Sequence, residues 1–380
     1  MRVLQVSKFF PPVVGGIEAV AFEIAEGLAR RGVHGDVLCA HTARRTVREQ
    51  AAAGYTVTRA ARHGSLLSTS LAPALIGRFK ACCHDYDLVH VHMPDPLAAL
   101  ALWRARPRSR IVLHWHSDVV RQRISRRLYA PLERWLLQRA DAIVATSTPY
   151  LEASTTLRPY RAKVEVLPIG ISDPAAEIDA DEVTRLQDRL GGRRLVLSVG
   201  RMTHYKGFDR LIEAAARLPA DVQVVVAGAG ALLARHRAEV RRRGLADRIV
   251  FAGALDARAL RAHLAVAEVF CLASTSRAEA YGVALVEAMA MGRPVVATDL
   301  AGSGVPWVNR DGVTGLNVPP GDAGALAAAL TRLLDDAALA QRLGAAGRQR
   351  YLDELSAATM VDRLLGLYRR LLGEPTAPRP

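Results

Sequence analysis

The chain has 380 residues, too long for one ordinary core, since cores rarely grow past roughly 250–300 residues, and this predicts two domains. Half the residues are hydrophobic and 23% are charged, a globular composition, and no window approaches the roughly 18 unbroken apolar residues of a membrane span. Lys and Arg outnumber Asp and Glu 51 to 37, and the net +14 points to an acidic partner (nucleotide phosphate, anionic lipid or nucleic acid) or to an arginine-rich solvated surface.

The N-terminal MRVLQVSKFFPP is interrupted by Arg2 and Lys8, so it reads as a strand and a Pro loop rather than a signal peptide, and the expected location is the cytoplasm. After the opening strand Arg2–Ser7 a Pro/Gly loop leads into an amphipathic helix at 17–30, which stops at Gly32. Strands are predicted at 36–40, 55–59, 88–92, 111–116, 142–146 and 164–168, with helices in several gaps. The segment 167–174 (LPIGISDP) has hinge composition, after which the pattern restarts. Strands are predicted there at 194–200, 222–227, 249–252, 269–273, 294–298 and 315–318, and helices from 322 to 372. Strands alternating with helices imply an α/β class with parallel sheets covered on both faces. The expected domains are 1–170 and 171–355, with 356–380 holding a last helix that packs back on the first domain and a frayed end from Pro375. Cys39, Cys82, Cys83 and Cys271 show no CxxC spacing, which argues for idle thiols over a zinc knuckle or disulfide framework.

Ligands of doubly wound sheets bind beyond the C-terminal strand ends, so the residues that follow strands carry the functional information. The first loop, Lys8 to Gly16, ends in Gly15-Gly16, which could admit a ligand to the backbone and the helix N-terminus, or could be a plain tight turn. His90-Val91-His92 and His114-Trp115-His116 each put two imidazoles on one strand face. They could form a metal site, with Asp95 or Asp118 completing it. The favoured reading is buried neutral histidines with His116, at its strand end, as the polar group of a cleft. In the second half Arg201 and Lys206 follow the opening strand, where a guanidinium fork and an ammonium point charge suit a diphosphate. The strongest signal is Glu279 and Glu287, eight apart, around Gly282, where a helix begins whose N-terminal amides can face an anion. Glu287 lies among Leu285, Val286, Ala288 and Met289, where a carboxylate is costly unless paired. It reads as a buried ion pair or as a bidentate acceptor for two hydroxyls, as on a ribose.

These motifs resemble the retaining glycosyltransferases of family four, which have the GT-B fold of two facing Rossmann-like domains with a cleft between them. The resemblance runs through SRAEAYGVALVEAMAMGRPVVAT, VGRMTHYKGFDRLIEAAARL, PPVVGGIE, DLVHVHMPDPLA and LPIGI, nearly the whole chain. It implies an acceptor-side first domain and a nucleotide-sugar-binding second domain. It implies that Arg201 and Lys206 hold the donor diphosphate, that Glu287 takes the ribose hydroxyls, and that Glu279 and His116 act near the reacting centre. Gly15 and Gly16 would approach phosphate or acceptor, and Gly282 would open the helix whose Val283 and Ala284 amides meet phosphate or sugar. It further implies transfer with retention and no cofactor or metal. The stretch Gly302 to Trp307 lacks the Gly-Gly-x-x-Glu that the family often carries. In this it resembles bacterial mannosyl- and rhamnosyltransferases of surface-polysaccharide synthesis, which favours a GDP-linked over a UDP-linked sugar and a polyprenyl-linked or saccharide acceptor.

Rival readings fare less well. The triplets Asp85-Tyr86-Asp87 and Asp179-Ala180-Asp181 suit capping better than a catalytic metal. Gly228-Ala229-Gly230 hints at a dehydrogenase, but Leu233 replaces the third glycine. A sugar-nucleotide epimerase on the same fold is a nearer rival. Nucleic-acid binding would call for a basic stripe with aromatics, and 121–139 comes closest. Its apolar stripe of Ile124, Leu128, Leu132, Trp135 and Leu136 reads as core-facing, or as contact with an anionic inner membrane leaflet, which is the favoured partner surface.

Overall fold

The computed structural model describes residues 1–66, 69–118 and 123–374. They form two compact units: Met1–Ile171 together with the segment from Ala357, and Ser172–Ser356.

The first unit is built on β1 (Arg2–Ser7), β2 (His34–Ala40), β3 (Val47–Gln50), β4 (Thr56–Ala60), a small pair β5 (Ser65–Leu66) and β6 (Thr69–Ser70), β7 (Leu88–Met93), β8 (Arg110–Trp115), β9 (Ala142–Ala145) and β10 (Val164–Val166). The main sheet runs β10-β9-β8-β7-β1-β2-β4-β3, parallel except for β3. Sequence reading missed β3 because VREQ is polar and mostly exposed, as an antiparallel edge permits. Every residue of β7 is buried, as in a sheet covered on both faces. The chain order reverses across β1 and β7, a topological switch point.

The helix Ala357–Leu372 returns to this unit. It buries Met360, Val361, Leu364, Leu365, Leu367 and Tyr368, and burying each large side chain stabilises by roughly 1.5–3 kcal/mol. Val361 sits over Gly27 of the helix Gly16–Arg30, where a β-carbon would clash with its methyl. Ion pairs Arg31–Asp362 (2.6 Å) and Arg370–Glu165 (2.7 Å) flank the seam.

The second unit holds β11 (Arg194–Val199), β12 (Val222–Ala227), β13 (Ile249–Gly253), β14 (Val269–Leu272), β15 (Val295–Thr298) and β16 (Gly315–Val318). All are parallel in the order β13-β12-β11-β14-β15-β16, so the switch point lies between β11 and β14. The helices Phe208–Ala215, Ala323–Asp335 and Ala337–Arg350 pack their apolar faces on it, with Leu211, Leu330 and Leu343 fully buried. Asp179, Asp256, Asp322 and Asp336 cap helix N-termini with their carboxylates, so the second Asp-x-Asp triplet serves capping.

In the segment 121–139, residues 121–122 and the side chains of Ile124 and Leu128 lie outside the described set. Of the described side chains of the stripe, Leu136 is buried and Leu132 and Trp135 are half-buried. Among the described residues no helix is long and apolar enough to cross a membrane. All four cysteines are free.

Candidate active site

In the second unit the loops after β11 and β14 meet at the switch point. The Thr275 amide donates to the Tyr205 carbonyl at 2.7 Å. Gly207, at φ 66°, sits so tightly against the Ala273 carbonyl that a β-carbon would strike it. This close approach brings Lys206 to Glu279: Nζ and Oε2 are 2.5 Å apart, both side chains 11% exposed. A buried ion pair stabilises only when further hydrogen bonds support it. Here the Ser274 hydroxyl donates to the same Oε2 at 3.0 Å, and the Ser303 hydroxyl donates to the Glu279 carbonyl at 2.5 Å. The Glu279 Oε1 has no partner among the described residues. Sequence reading found Lys206 and Glu279 but missed Ser274 and Ser303. Small hydroxyl residues after strands are common, and only the pairing of β14 with β11 and with β15 picks Ser274 and Ser303 out.

Gly282, at φ 84°, caps the helix Val283–Ala290, and the first-turn amides of Val283 and Ala284 precede its internal hydrogen bonds. Glu287 is the fifth residue of that helix and is half-buried among buried Leu285, Val286, Ala288 and Met289. Desolvation pushes its carboxyl from the ordinary 4.5 up to about 7, against the opposing pull of Lys206. A carboxylate held at that cost, without a dedicated partner among the described residues, is suited to hydroxyl donors from a ligand. Arg201 lies exposed on the neighbouring loop with no ion pair among the described residues. The switch point thus collects one free guanidinium, one held ammonium, a helix N-terminus and two carboxylates. The Gly228-Ala229-Gly230 run lies against the loop after β11. It packs backbone to backbone, where β-carbons on its glycines would strike Gly200 and Met202.

In the first unit Gly15 is the N-cap of its helix, and the Glu18 carboxylate occupies the space where a Gly15 β-carbon would lie. Gly16 is the first helical residue. His116 follows the end of β8 rather than closing the strand, its amide donating to the Met93 carbonyl at 3.0 Å. The register pairs His92 with His114, so His92, His114 and His116 form one buried stack, with His90 set tilted or edge-on against it. Ligand atoms of His90, His92 and His114 lie within 4.8 Å of one another. The set does not behave as three free ligands, however, because His92 has both ring nitrogens engaged. Nδ1 is 3.0 Å from His116 Nε2, and Nε2 is 3.1 Å from Gln5 Oε1. His90 Nδ1 takes the Tyr368 hydroxyl at 2.6 Å. His90 Nε2 and both nitrogens of His114 have no partner among the described residues. The candidate carboxylates are also committed. Asp95 caps the Leu97 amide at 3.0 Å, and Asp118 accepts from the Trp115 indole at 3.0 Å and the Ser154 hydroxyl at 2.9 Å. Burial lowers all four imidazoles well below their usual range, His114 to about 3, so they stand neutral.

Comparison with known proteins gives the family and the fold. Residues 14–173 match the model of Glycosyltransferase Family 4, and residues 182–350 that of Glycosyl transferases group 1. The chain is 33% identical over 375 residues to an O-antigen chain mannosyltransferase C of Escherichia coli, covering 98% of this chain and 99% of that one. It is 32% identical over 353 residues to the D-rhamnosyltransferase WbpZ of Pseudomonas aeruginosa, covering 92% and 91%. A sucrose-phosphate synthase structure from Thermosynechococcus elongatus superposes with a TM-score of 0.82 at 25% identity, covering 98% of this chain and 99% of that one. The chain therefore belongs to the family-four glycosyltransferases and has the GT-B fold.

Proposed function

We propose that this glycosyltransferase moves a hexose of the mannose or rhamnose type from a nucleoside-diphosphate sugar, GDP-linked rather than UDP-linked, to a lipid-linked or saccharide acceptor in cell-surface polysaccharide synthesis. The observation that carries the reading is the cationic and carboxylate set at the second unit's switch point: Arg201, Lys206, Glu279 and Glu287 beside the Val283 helix terminus. Arg201, Lys206 and the Val283 and Ala284 amides would stabilise the charge that grows on the leaving diphosphate, replacing a metal ion. Glu287 would accept from two ribose hydroxyls. Glu279 holds Lys206 through Oε2 and offers Oε1 to the transferred sugar. In the first unit His116 is the candidate catalytic residue, and the backbone at Gly15 and Gly16 a candidate contact for phosphate or acceptor. The anomeric configuration would be retained. The net charge of +14 favours work at the cytoplasmic face of an anionic membrane.

The test is to incubate the full chain in EDTA with GDP-mannose or UDP-glucose and a polyprenyl-diphosphate-linked saccharide, and to read the new linkage by NMR. The reading expects an α-linked product from the GDP-linked α-donor. A β-linked product overturns retention, and transfer only after divalent metal is restored overturns metal independence. Epimerisation of the donor without transfer favours the epimerase reading instead.

A further inference from the structure

One hydrogen-bonded line passes through the histidine cluster, from Gln5 through His92 to His116. It runs from β1 through β7 to the loop after β8, three neighbours in the sheet. Gln5 Oε1 lies 3.1 Å from His92 Nε2, and His92 Nδ1 lies 3.0 Å from His116 Nε2. Gln5 and His92 are each 1% exposed, while His116 retains 6%, so His116 is the end of the line that reaches outward.

A neutral imidazole has one N–H and one lone pair, so each bond in such a line fixes the next. Desolvation holds both His92 and His116 neutral. An amide oxygen can only accept, so His92 Nε2 carries the proton it donates to Gln5. His92 Nδ1 is then a lone pair and must accept, which places the His116 proton on Nε2. The remaining His116 nitrogen, Nδ1, is therefore a lone pair. Reversing either bond would set two lone pairs or two protons face to face in a dry core, where a mismatched polar pair has no water to repair it. His114 stacks on the His116 ring with centroids 4.3 Å apart and planes 11° apart, which opposes rotation of the ring out of this arrangement.

We infer that Gln5 and His92 are positioning residues that lock His116 as its Nε2–H tautomer, making Nδ1 an acceptor for a substrate hydroxyl. This deepens, and rests on, the reading of His116 as a catalytic residue of the transferase. In this arrangement His116 neither donates a proton through Nδ1 nor presents a positive charge. It orients a hydroxyl by taking its hydrogen bond.

The experiment uses the full chain labelled with 15N-histidine, read by long-range 1H–15N correlation near pH 7. Among the 11 histidines, the signals of His92 and His116 are assigned by comparing spectra of His92→Gln and His116→Gln with wild type. The expected result is the Nε2–H tautomer at both positions; an Nδ1–H tautomer or an imidazolium at either overturns the inference. Gln5→Leu removes the terminal acceptor. It should leave His92 a mixture of tautomers and lower kcat by about tenfold, the value of one neutral hydrogen bond, with the donor KM nearly unchanged. Gln5→Glu, which keeps an acceptor oxygen, should restore the Nε2–H signal. An unchanged tautomer and unchanged kcat in Gln5→Leu also overturns the inference. The tautomer is read without substrate, so a chain that turns over no sugar nucleotide defeats the transferase reading and leaves this result to be judged separately.

Discussion

Replacing Glu287 with Gln separates the cost of the site from its use. The change keeps the shape of the side chain and removes its charge. The carboxyl titrates near 7 in the folded protein against an ordinary 4.5, a shift worth about 3 kcal/mol if fully expressed. Glu287 is only half-buried, so screening reduces this to roughly 1–2 kcal/mol. The sign follows from linkage. Between pH 4.5 and about 7 the folded state holds a proton that the unfolded chain releases, so wild-type stability falls as pH rises through that window and levels off above it. The Gln variant lacks this fall. It should match wild type near pH 4.5 and exceed it by roughly 1–2 kcal/mol at pH 8. The readout is urea unfolding at three pH values, taking the transition that nucleotide binding shifts. The same variant should bind a nucleotide sugar more weakly by about 10–100-fold, since a charged acceptor contributes roughly 1.5–3 kcal/mol. A stability gap that does not change with pH, or a variant less stable than wild type at pH 8, would refute the desolvation argument.

Lys206→Met should destabilise by about 3–5 kcal/mol because Glu279 is left buried with only the Ser274 hydroxyl, and should lower kcat by about 100-fold or more. Adding Glu279→Gln should recover most of the stability and none of the activity, which thermal melting and turnover assays together would show. Arg201→Ala makes the opposite split: this exposed side chain has no ion pair among the described residues to lose, so stability should stay within about 0.5 kcal/mol while donor affinity drops. Gly207→Ala should cost more than the roughly 1–2 kcal/mol of a left-handed residue alone, because its β-carbon meets the Ala273 carbonyl. Its donor KM should rise as Lys206 shifts, and an unchanged melting temperature would count against the close approach.

Much of the fold is written in period and punctuation. The apolar runs at β1, β7, β8, β11, β12 and β14, each followed by a polar or glycine turn, are sufficient to place two parallel sheets. The antiparallel β3 is not, because VREQ earns its place by edge pairing rather than by burial. In the site, Glu279, Glu287, Arg201 and Lys206 are legible because charged residues after strands, or inside an apolar helix face, break the local pattern. The Lys206–Glu279 pair is not legible: residues 73 apart meet only because β11 and β14 are neighbours and Gly207 lets their loops close. The Gln5–His92–His116 line is hidden for the same reason, since Gln5 looks like an ordinary polar residue in a strand until β1 is set beside β7. Sequence spacing also drew attention to Asp95 and Asp118 as ligands, whereas their carboxylates are occupied by a helix cap and an indole.

The most direct test of the central claim, that the second unit's switch point binds the nucleotide sugar without metal, is calorimetric titration of the full chain with GDP-mannose in EDTA. Wild type, Arg201→Ala and Glu287→Gln would be compared. The account predicts saturable binding to wild type at one site, unchanged by EDTA, and weaker binding to each variant by about tenfold or more. Binding that vanishes in EDTA, or equal affinity in all three proteins, would contradict it.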